Sequence, residues 1–374
     1  MKYYVIAGEA SGDLHASNLI REIKQNDTQA FFRCWGGDLM QGQGVEIVKH
    51  IRDISFMGFA EVLMHLRTIL GNLRYCKHDI LSFQPDVLIL VDYPAFNLRI
   101  AEFAHAKGIK VYYYISPQIW AWKQSRVHKI KKTVDKMLVI LPFEKDFYQR
   151  FNVEVDFVGH PLLDAIEQYK KTTNFKDFRT EHHLSEKPIV ALLPGSRKQE
   201  ISRMLKIMLS VQDDFKEVQF VIAGAPSREA EFYSTLIQGK DVHIVYNKTY
   251  DLLMNSTAAL VTSGTATLET ALLEVPEVVC YKGSNFSYQI AKRLIKVKYI
   301  SLVNLIMDKK IVSELIQHDL NHHQLKSELH QILYDAATIA QMQSDYHQLK
   351  EKLGYQGASA KAARIIQQSF SAKD

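Results

Sequence analysis

Cysteine is scarce: Cys34, Cys76 and Cys280 are the only three in 374 residues, and they lie far apart. That scatter excludes a disulfide framework and a Cys-x-x-Cys metal clip. No 18-residue window is free of Asp, Glu, Lys and Arg, so no segment reads as a membrane-spanning helix. Met1-Lys2-Tyr3-Tyr4-Val5-Ile6-Ala7-Gly8 lacks a charged start followed by a long apolar run, and reads as a strand entering a loop rather than a secretory signal. No two aspartates are separated by a single residue, so an Asp-x-Asp cation motif is missing, as are a P-loop and a His-Glu-x-x-His pair. Excess charge is missing too. Lys plus Arg minus Asp plus Glu is 46 − 41 = +5, short of what a dedicated nucleic-acid binder carries.

What remains is ordinary globular material, 47% apolar and 23% charged, in a chain long enough for two cores. Short apolar runs at Tyr3–Ala7, Val87–Val91, Val111–Ile115 and Met137–Leu141 read as buried parallel strands. A second set follows at Ile189–Leu193, Gln219–Ala223, Val242–Tyr246 and Ala258–Thr262. Helical periodicity between the runs makes this an α/β protein with parallel sheets covered on both faces. The polar stretch Tyr169–Pro188 separates the two sets. The predicted organisation is a domain over 1–168, a second over 185–345, and helices over 346–374 that pack on the first domain or on a partner protomer. Two Rossmann-like, doubly wound parallel-sheet domains facing a central cleft are the expected architecture, with ligands outside the carboxyl ends of the strands.

Unusual residues do gather at those ends. The first strand enters Gly8-Glu9-Ala10-Ser11-Gly12-Asp13, either a plain tight turn or a loop offering backbone N–H groups to a ligand. Its spacing is not that of a dinucleotide fingerprint, so neither a nicotinamide nor a flavin is expected. Val87–Val91 runs into Asp92-Tyr93-Pro94-Ala95-Phe96-Asn97. Asp92 there is either a helix cap or a partly desolvated carboxylate suited to take a proton. Ile189–Leu193 ends in Pro194-Gly195-Ser196-Arg197, with Glu200 one turn on. The arginine either matches a phosphate or bridges to a carboxylate. Ala258–Thr262 ends in Ser263-Gly264-Thr265, a helix start that can seat a diphosphate, and Glu269 one turn in can accept from ribose hydroxyls.

Trp120-Ala121-Trp122-Lys123 leads into Arg126, Lys129, Lys131, Lys132 and Lys136, and a second basic stretch runs from Lys282 to Lys298. Both are either solvated faces or seats for phosphates or an anionic bilayer. Ile54–Leu73 carries more apolar residues than one amphipathic stripe needs, through core packing or a membrane-facing surface. His318, His322, His323 and His330 lie in a polar helical stretch and read as solvent-facing rather than as metal ligands.

Seven blocks in order resemble the bacterial lipid-A-disaccharide synthases, glycosyltransferases of the GT-B fold: AGEASGD at 7–13, VDYPAFN at 91–97, SPQIWAWKQSRV at 116–127, FVGHPLLD at 157–164, LLPGSRKQEI at 192–201, SGTATLE at 263–269 and IAKRLIKVKYISLVNLI at 290–306. The resemblance covers almost the whole chain. Ser313 stands where the family usually has proline, and His15-Ala16-Ser17 replaces smaller residues.

The resemblance implies condensation of UDP-2,3-diacylglucosamine with 2,3-diacylglucosamine 1-phosphate (lipid X), giving a β-1,6-linked disaccharide 1-phosphate and UDP, without metal or cofactor. It implies Asp92 and Arg197 as catalytic, Asp92 either as base or as a group positioning the acceptor. Gly195, Ser196, Arg197, Ser263, Gly264, Thr265 and Glu269 would hold the nucleotide. Gly8, Glu9, Ser11, Gly12, Asp13, Asn97, Gln118, Trp120 and Asn304 would line the acceptor side or the cleft. Cytoplasmic location, peripheral contact with the anionic inner membrane, no nucleic-acid partner and a homodimer through the C-terminal region are the further expectations. Three rivals stand beside this reading. One is another metal-independent GT-B enzyme using UDP-N-acetylglucosamine, an epimerase or a peptidoglycan-precursor transferase. The others are a catalytically silent lipid or nucleotide-sugar binding protein and a nucleic-acid binder, the last weakened by the modest charge.

Overall fold

A computed structural model of the chain describes residues 1–54, 66–172, 178–225, 229–237, 239–283 and 297–371. Most of the apolar segment 54–73 and of the basic stretch 282–298 falls outside these residues, as does part of the polar stretch 169–188. The chain divides into two compact units, residues 1–165 with 353–374, and residues 166–352.

Unit 1 is built on a seven-stranded sheet of β1 (Lys2–Ala7), β2 (Phe31–Gly36), β3 (Glu46–His50), β4 (Val87–Val91), β5 (Lys110–Tyr114), β6 (Lys136–Val139) and β7 (Asp156–Phe157), in the order β3-β2-β1-β4-β5-β6-β7. Every pairing is parallel. The continuous apolar runs of β1 and β4 lie at the centre, where helices cover both faces. Tyr3 pairs with Val87 and Ala7 with Val91, so the two strands end level with each other. The C-terminal helix Ala358–Ser371 belongs to this unit. The Asp164 carboxylate accepts the Gly357 and Ser359 N–H groups at its start, at 2.6 and 2.9 Å.

Unit 2 repeats the plan with six strands: β8 (Ile189–Leu193), β9 (Gln219–Gly224), β10 (His243–Tyr246), β11 (Ala258–Thr262), β12 (Glu277–Tyr281) and β13 (Ser313–Ile316), ordered β10-β9-β8-β11-β12-β13 and all parallel. β8 and β11, both wholly buried, are central neighbours. Ile189, Ala191, Leu193, Val221, Ala259 and Val261 share one apolar cluster on a face of this sheet.

β2, β3, β7, β12 and β13 were not expected from the apolar runs. β2 and β3 carry Arg33, Glu46 and Lys49, β7 has two residues, and β12 and β13 open on Glu277 and Ser313. In both sheets the chain winds outward to one side, returns to the middle, and winds outward to the other. The crevice where direction switches lies between β1 and β4 in unit 1 and between β8 and β11 in unit 2, the positions where such sheets bind ligands.

Candidate functional site

At the switch point of unit 1 the loop after β1 meets the loop after β4. Asp92 and Tyr93 are consecutive residues in the left-handed region, with φ of 43° and 49°. Non-glycine residues rarely adopt that conformation, and two in succession need outside support. The support is visible. The Asp92 carbonyl accepts from Asn97 Nδ2 at 2.8 Å and from the Tyr113 hydroxyl at 2.5 Å. Tyr93 donates its hydroxyl to the Ile54 carbonyl at 3.3 Å and stacks on Phe96 with ring centroids 5.5 Å apart.

The Asp92 carboxyl is thereby fixed, half-buried, at the end of β4. Burial, and after it the charge of Glu9 from the opposite loop, push its pKa up to about 7, against a hydrogen bond from the Tyr93 N–H. A carboxylate tuned to that value exchanges a proton near neutral pH, the property a general base needs. The sequence reading of a desolvated carboxylate therefore has its counterpart in the geometry.

Other residues expected on this side fall into two groups. Gly8 is buried against Tyr93, Glu9 is half-buried, and Ser11 is exposed at the start of the helix Ala10–Asn26. Gln118 is exposed, and Trp120 is nearly buried with its ring edge-on to Phe143, centroids 4.9 Å apart. Gly12 packs on Ala7, where a β-carbon would lie 3.3 Å from its methyl.

Asp13 and Asn97, expected on the acceptor side or in the cleft, are both buried and bonded to backbone groups. The buried Asp13 carboxylate accepts three backbone N–H groups, from Gly37 at 2.7 Å, Leu39 at 3.0 Å and Met40 at 3.1 Å, and so caps the short helix Asp38–Gln41. Asn97 is fully buried and donates its amide to backbone carbonyls, chiefly that of Asp92.

At the switch point of unit 2 lies a pocket of about 450 Å³ lined by Gly195, Ser196, Arg197, Glu200, Ser263, Gly264, Thr265 and Glu269, with Ala223, Gly224 and Thr249 around them. All seven residues expected to hold a nucleotide are thus brought together. Gly195 has φ +102°, a conformation that favours glycine, and a β-carbon on it would also crowd the Glu200 carboxylate. Glu200 Oε2 in turn accepts the Ser196 N–H at 3.2 Å and shapes the loop. Arg197 is exposed. The helix Thr265–Leu272 points its N-terminal turn into the pocket, a favourable end for an anion.

Glu269 Oε1 accepts the Tyr250 hydroxyl at 2.8 Å. Burial raises the Glu269 pKa, and the Tyr250 bond works against that rise. Tyr250 packs edge-on to Tyr169, centroids 5.1 Å apart. Sequence reasoning missed both tyrosines, because they lie on helices away from the strand-end motifs.

Asn304 was expected on the acceptor side or in the cleft. It is fully buried and outside the pocket lining. Its Oδ1 accepts from Ile311 N at 2.7 Å and Val312 N at 3.0 Å, and its Nδ2 donates to Val312 O and Glu314 Oε1, both at 2.9 Å. Glu314 also accepts from Ile300 N, Ser301 N and Ser301 Oγ, while Ser263 Oγ donates to the Ile300 carbonyl at 3.0 Å. Asn304 therefore anchors the pocket loop through Glu314 and the 300–301 backbone.

Among the described residues no group of three or more His, Cys, Asp or Glu is placed to hold a metal ion, and no helix is long and apolar enough to cross a membrane.

Comparison with known proteins adds three findings. A family model described as lipid-A-disaccharide synthetase matches residues 3–369. The chain is similar to the lipid-A-disaccharide synthase of Geobacter sulfurreducens, 37% identical over 369 residues covering 97% of this chain and 95% of that one. That of Syntrophus aciditrophicus is 39% identical over 368 residues, 96% and 95% of the two chains. In fold the chain is similar to the UDP-GlcNAc 2-epimerase of Neisseria meningitidis bound to UDP-GlcNAc, at TM-score 0.66 and 13% identity over 100% of both chains. It is similar also to the glycotransferase of kitacinnamycin, at TM-score 0.64 and 14% identity over 98% of both. At those identities the two structures speak to the GT-B fold alone.

Proposed function

The chain belongs to the lipid-A-disaccharide synthase family, hexosyltransferases of lipid A biosynthesis with the GT-B fold, and from that premise we propose how its own residues carry the reaction. Unit 2 binds the donor, UDP-2,3-diacylglucosamine, and unit 1 the acceptor, 2,3-diacylglucosamine 1-phosphate. The acceptor 6-hydroxyl oxygen attacks the donor's anomeric carbon on the face opposite UDP. As the C1–O bond to UDP breaks, the new β-1,6 bond forms, and the hydroxyl proton passes to the Asp92 carboxylate. The α donor and β product follow from a single displacement with inversion.

The observation that carries this reading is the Asp92 carboxyl, held by two left-handed residues at the switch point and raised to about 7. A positioned base of this kind contributes roughly 10²–10⁴ in rate. On the donor side, the developing charge of the UDP leaving group meets the Arg197 guanidinium and the N-terminus of the helix Thr265–Leu272. Fixed charges and dipoles of this type stabilise the transition state without reorganising. The Glu269 carboxylate accepts from the ribose hydroxyls, with Tyr250 fixing its rotamer.

Both substrates carry acyl chains, so the enzyme works at a bilayer. Exposed Trp122, with Lys123 Nζ 4.7 Å from its ring centroid, together with exposed Leu70 and Tyr75, supports a peripheral, membrane-touching face on unit 1. Binding to anionic vesicles that weakens with salt is the expected result, and indifference to them would remove this part.

Asp92→Asn tests the core of the mechanism. Turnover should fall by about 10²–10⁴ while UDP affinity, which belongs to unit 2, is unchanged. Full turnover in the variant would refute the assignment.

A further inference from the structure

Unit 1 holds a second cavity that the mechanism above does not use. It measures about 330 Å³ and is lined by Pro94, Ala95, Leu98, Arg99, Ser125, Arg126 and Lys129. The helix Pro94–Ala106 supplies positions 94, 95, 98 and 99, one face of its first turns, and the helix Arg126–Thr133 supplies 126 and 129, also one face. Among the described residues, the charged groups lining the cavity are all cations. Arg126 is held over the Trp122 ring with its guanidinium carbon 5.3 Å from the centroid. Lys129 Nζ is 2.7 Å from Glu102 Oε1, an exposed pair that competes weakly for the ammonium. A pair of guanidinium forks beside an ammonium is a donor set for a phosphate monoester, which carries between one and two negative charges at neutral pH.

Place in the chain makes this more than a basic patch. Pro94 on the cavity wall is two residues after Asp92, so their Cα atoms are within about 7 Å. In a glucosamine 1-phosphate the carbon that bears the phosphate and the carbon that bears the 6-hydroxymethyl group flank the ring oxygen. A phosphate seated in the cavity and a 6-hydroxyl at the Asp92 loop are therefore compatible in one bound sugar. We propose that Arg99, Arg126 and Lys129 form the subsite for the acceptor's anomeric phosphate, and that this subsite sets acceptor orientation and selects phosphorylated over unphosphorylated sugar. The inference rests on the acceptor assignment above. Exposed Lys131 and Lys132 point elsewhere on the same helix and remain for the bilayer.

The test uses the double variant Arg99→Gln/Arg126→Gln in the full-length protein, with 2,3-diacylglucosamine 1-phosphate and the same lipid lacking the phosphate as acceptors in mixed micelles. The expected result is a KM for the phosphorylated acceptor raised about 100-fold, with the KM for the unphosphorylated lipid and for the UDP donor unchanged. Unchanged behaviour toward the unphosphorylated lipid also shows that unit 1 of the variant is folded. An equal penalty on both acceptors overturns the proposal. So does loss of anionic-vesicle binding with acceptor KM intact, which would assign the arginines to phospholipid headgroups. Direct binding of the two lipids to wild-type protein separates the subsite from the reaction. Arginine-dependent preference for the phosphorylated lipid without disaccharide formation would keep the subsite and refute the proposed reaction, and absence of that preference would refute the subsite.

Discussion

A β-carbon placed on Gly8 would stand 2.3 Å from Cγ of Tyr93. The end of β1 and the end of β4 are thus in contact through a glycine and an aromatic ring, and the Asp92 carboxyl hangs from that contact. Gly8→Ala must displace Tyr93, whose φ of 49° is shared with Asp92 at 43°. The expected outcome is a loss of turnover of at least tenfold with UDP affinity retained, read by steady-state kinetics beside equilibrium UDP binding. Wild-type turnover would separate Tyr93 from the placement of Asp92.

The pH profile follows from the raised Asp92 pKa. A base must be ionised to accept a proton, so log kcat/KM, which reports the free enzyme, should climb with unit slope up to about pH 7 and level off above. Glu9 is the second cause of the rise, after burial. Glu9→Gln should therefore move the rising limb to lower pH, and Asp92→Asn should abolish it. The sign for stability is the reverse. Ionised Asp92 costs folding free energy, a cost that enters as pH passes the ordinary value of 3.8 and is complete above about 7. Asp92→Asn should raise Tm at pH 8 and leave it unchanged at pH 3, as thermal melts at the two values would show.

In unit 2, Gly195→Ala meets both a left-handed φ of +102° and the Glu200 carboxylate. It should weaken UDP binding at least tenfold, about 1.4 kcal/mol, by isothermal titration. Arg197→Ala should instead lower kcat by roughly 10²–10³, more than it lowers UDP affinity, because its charge is needed most when the leaving group forms. Equal losses in the two quantities would make Arg197 a ground-state binder only.

Asn304→Ala tests a structural assignment. It strands buried N–H groups of Ile311 and Val312 and unties Glu314. The loss of stability should be on the order of 3 kcal/mol, with UDP binding recovered at low temperature. A variant of wild-type Tm with lost turnover would restore Asn304 to the reacting centre.

Legibility in the sequence followed the physics of each element. β4, β8 and β11 were read to the residue because central parallel strands are continuous apolar runs. β3 and β13 escaped because short polar strands toward the sheet edges carry no such run. Asp92 stood out because a charged residue directly after a buried strand interrupts an apolar pattern, and Gly195 and Glu269 because they follow β8 and β11 in a small-residue loop and in a helix that begins with glycine and hydroxyls. Asp13, Asn97 and Asn304 share those motifs, yet their side chains turn inward to backbone groups, and only coordinates distinguish a carboxylate that caps a helix from one that faces a ligand. Tyr250 and Arg99 lie within helices at ordinary helical positions; Tyr250 meets the pocket only through its bond to Glu269, and Arg99 meets its cavity through the packing of two helices.

The central claim is that this chain joins two acylated sugars. The most direct measurement follows UDP and disaccharide together after purified protein is mixed with UDP-2,3-diacylglucosamine and 2,3-diacylglucosamine 1-phosphate. The two products should appear in equal amounts, and the disaccharide should be β-1,6-linked. UDP released without disaccharide, or no UDP released by a protein that binds it tightly, would contradict the account.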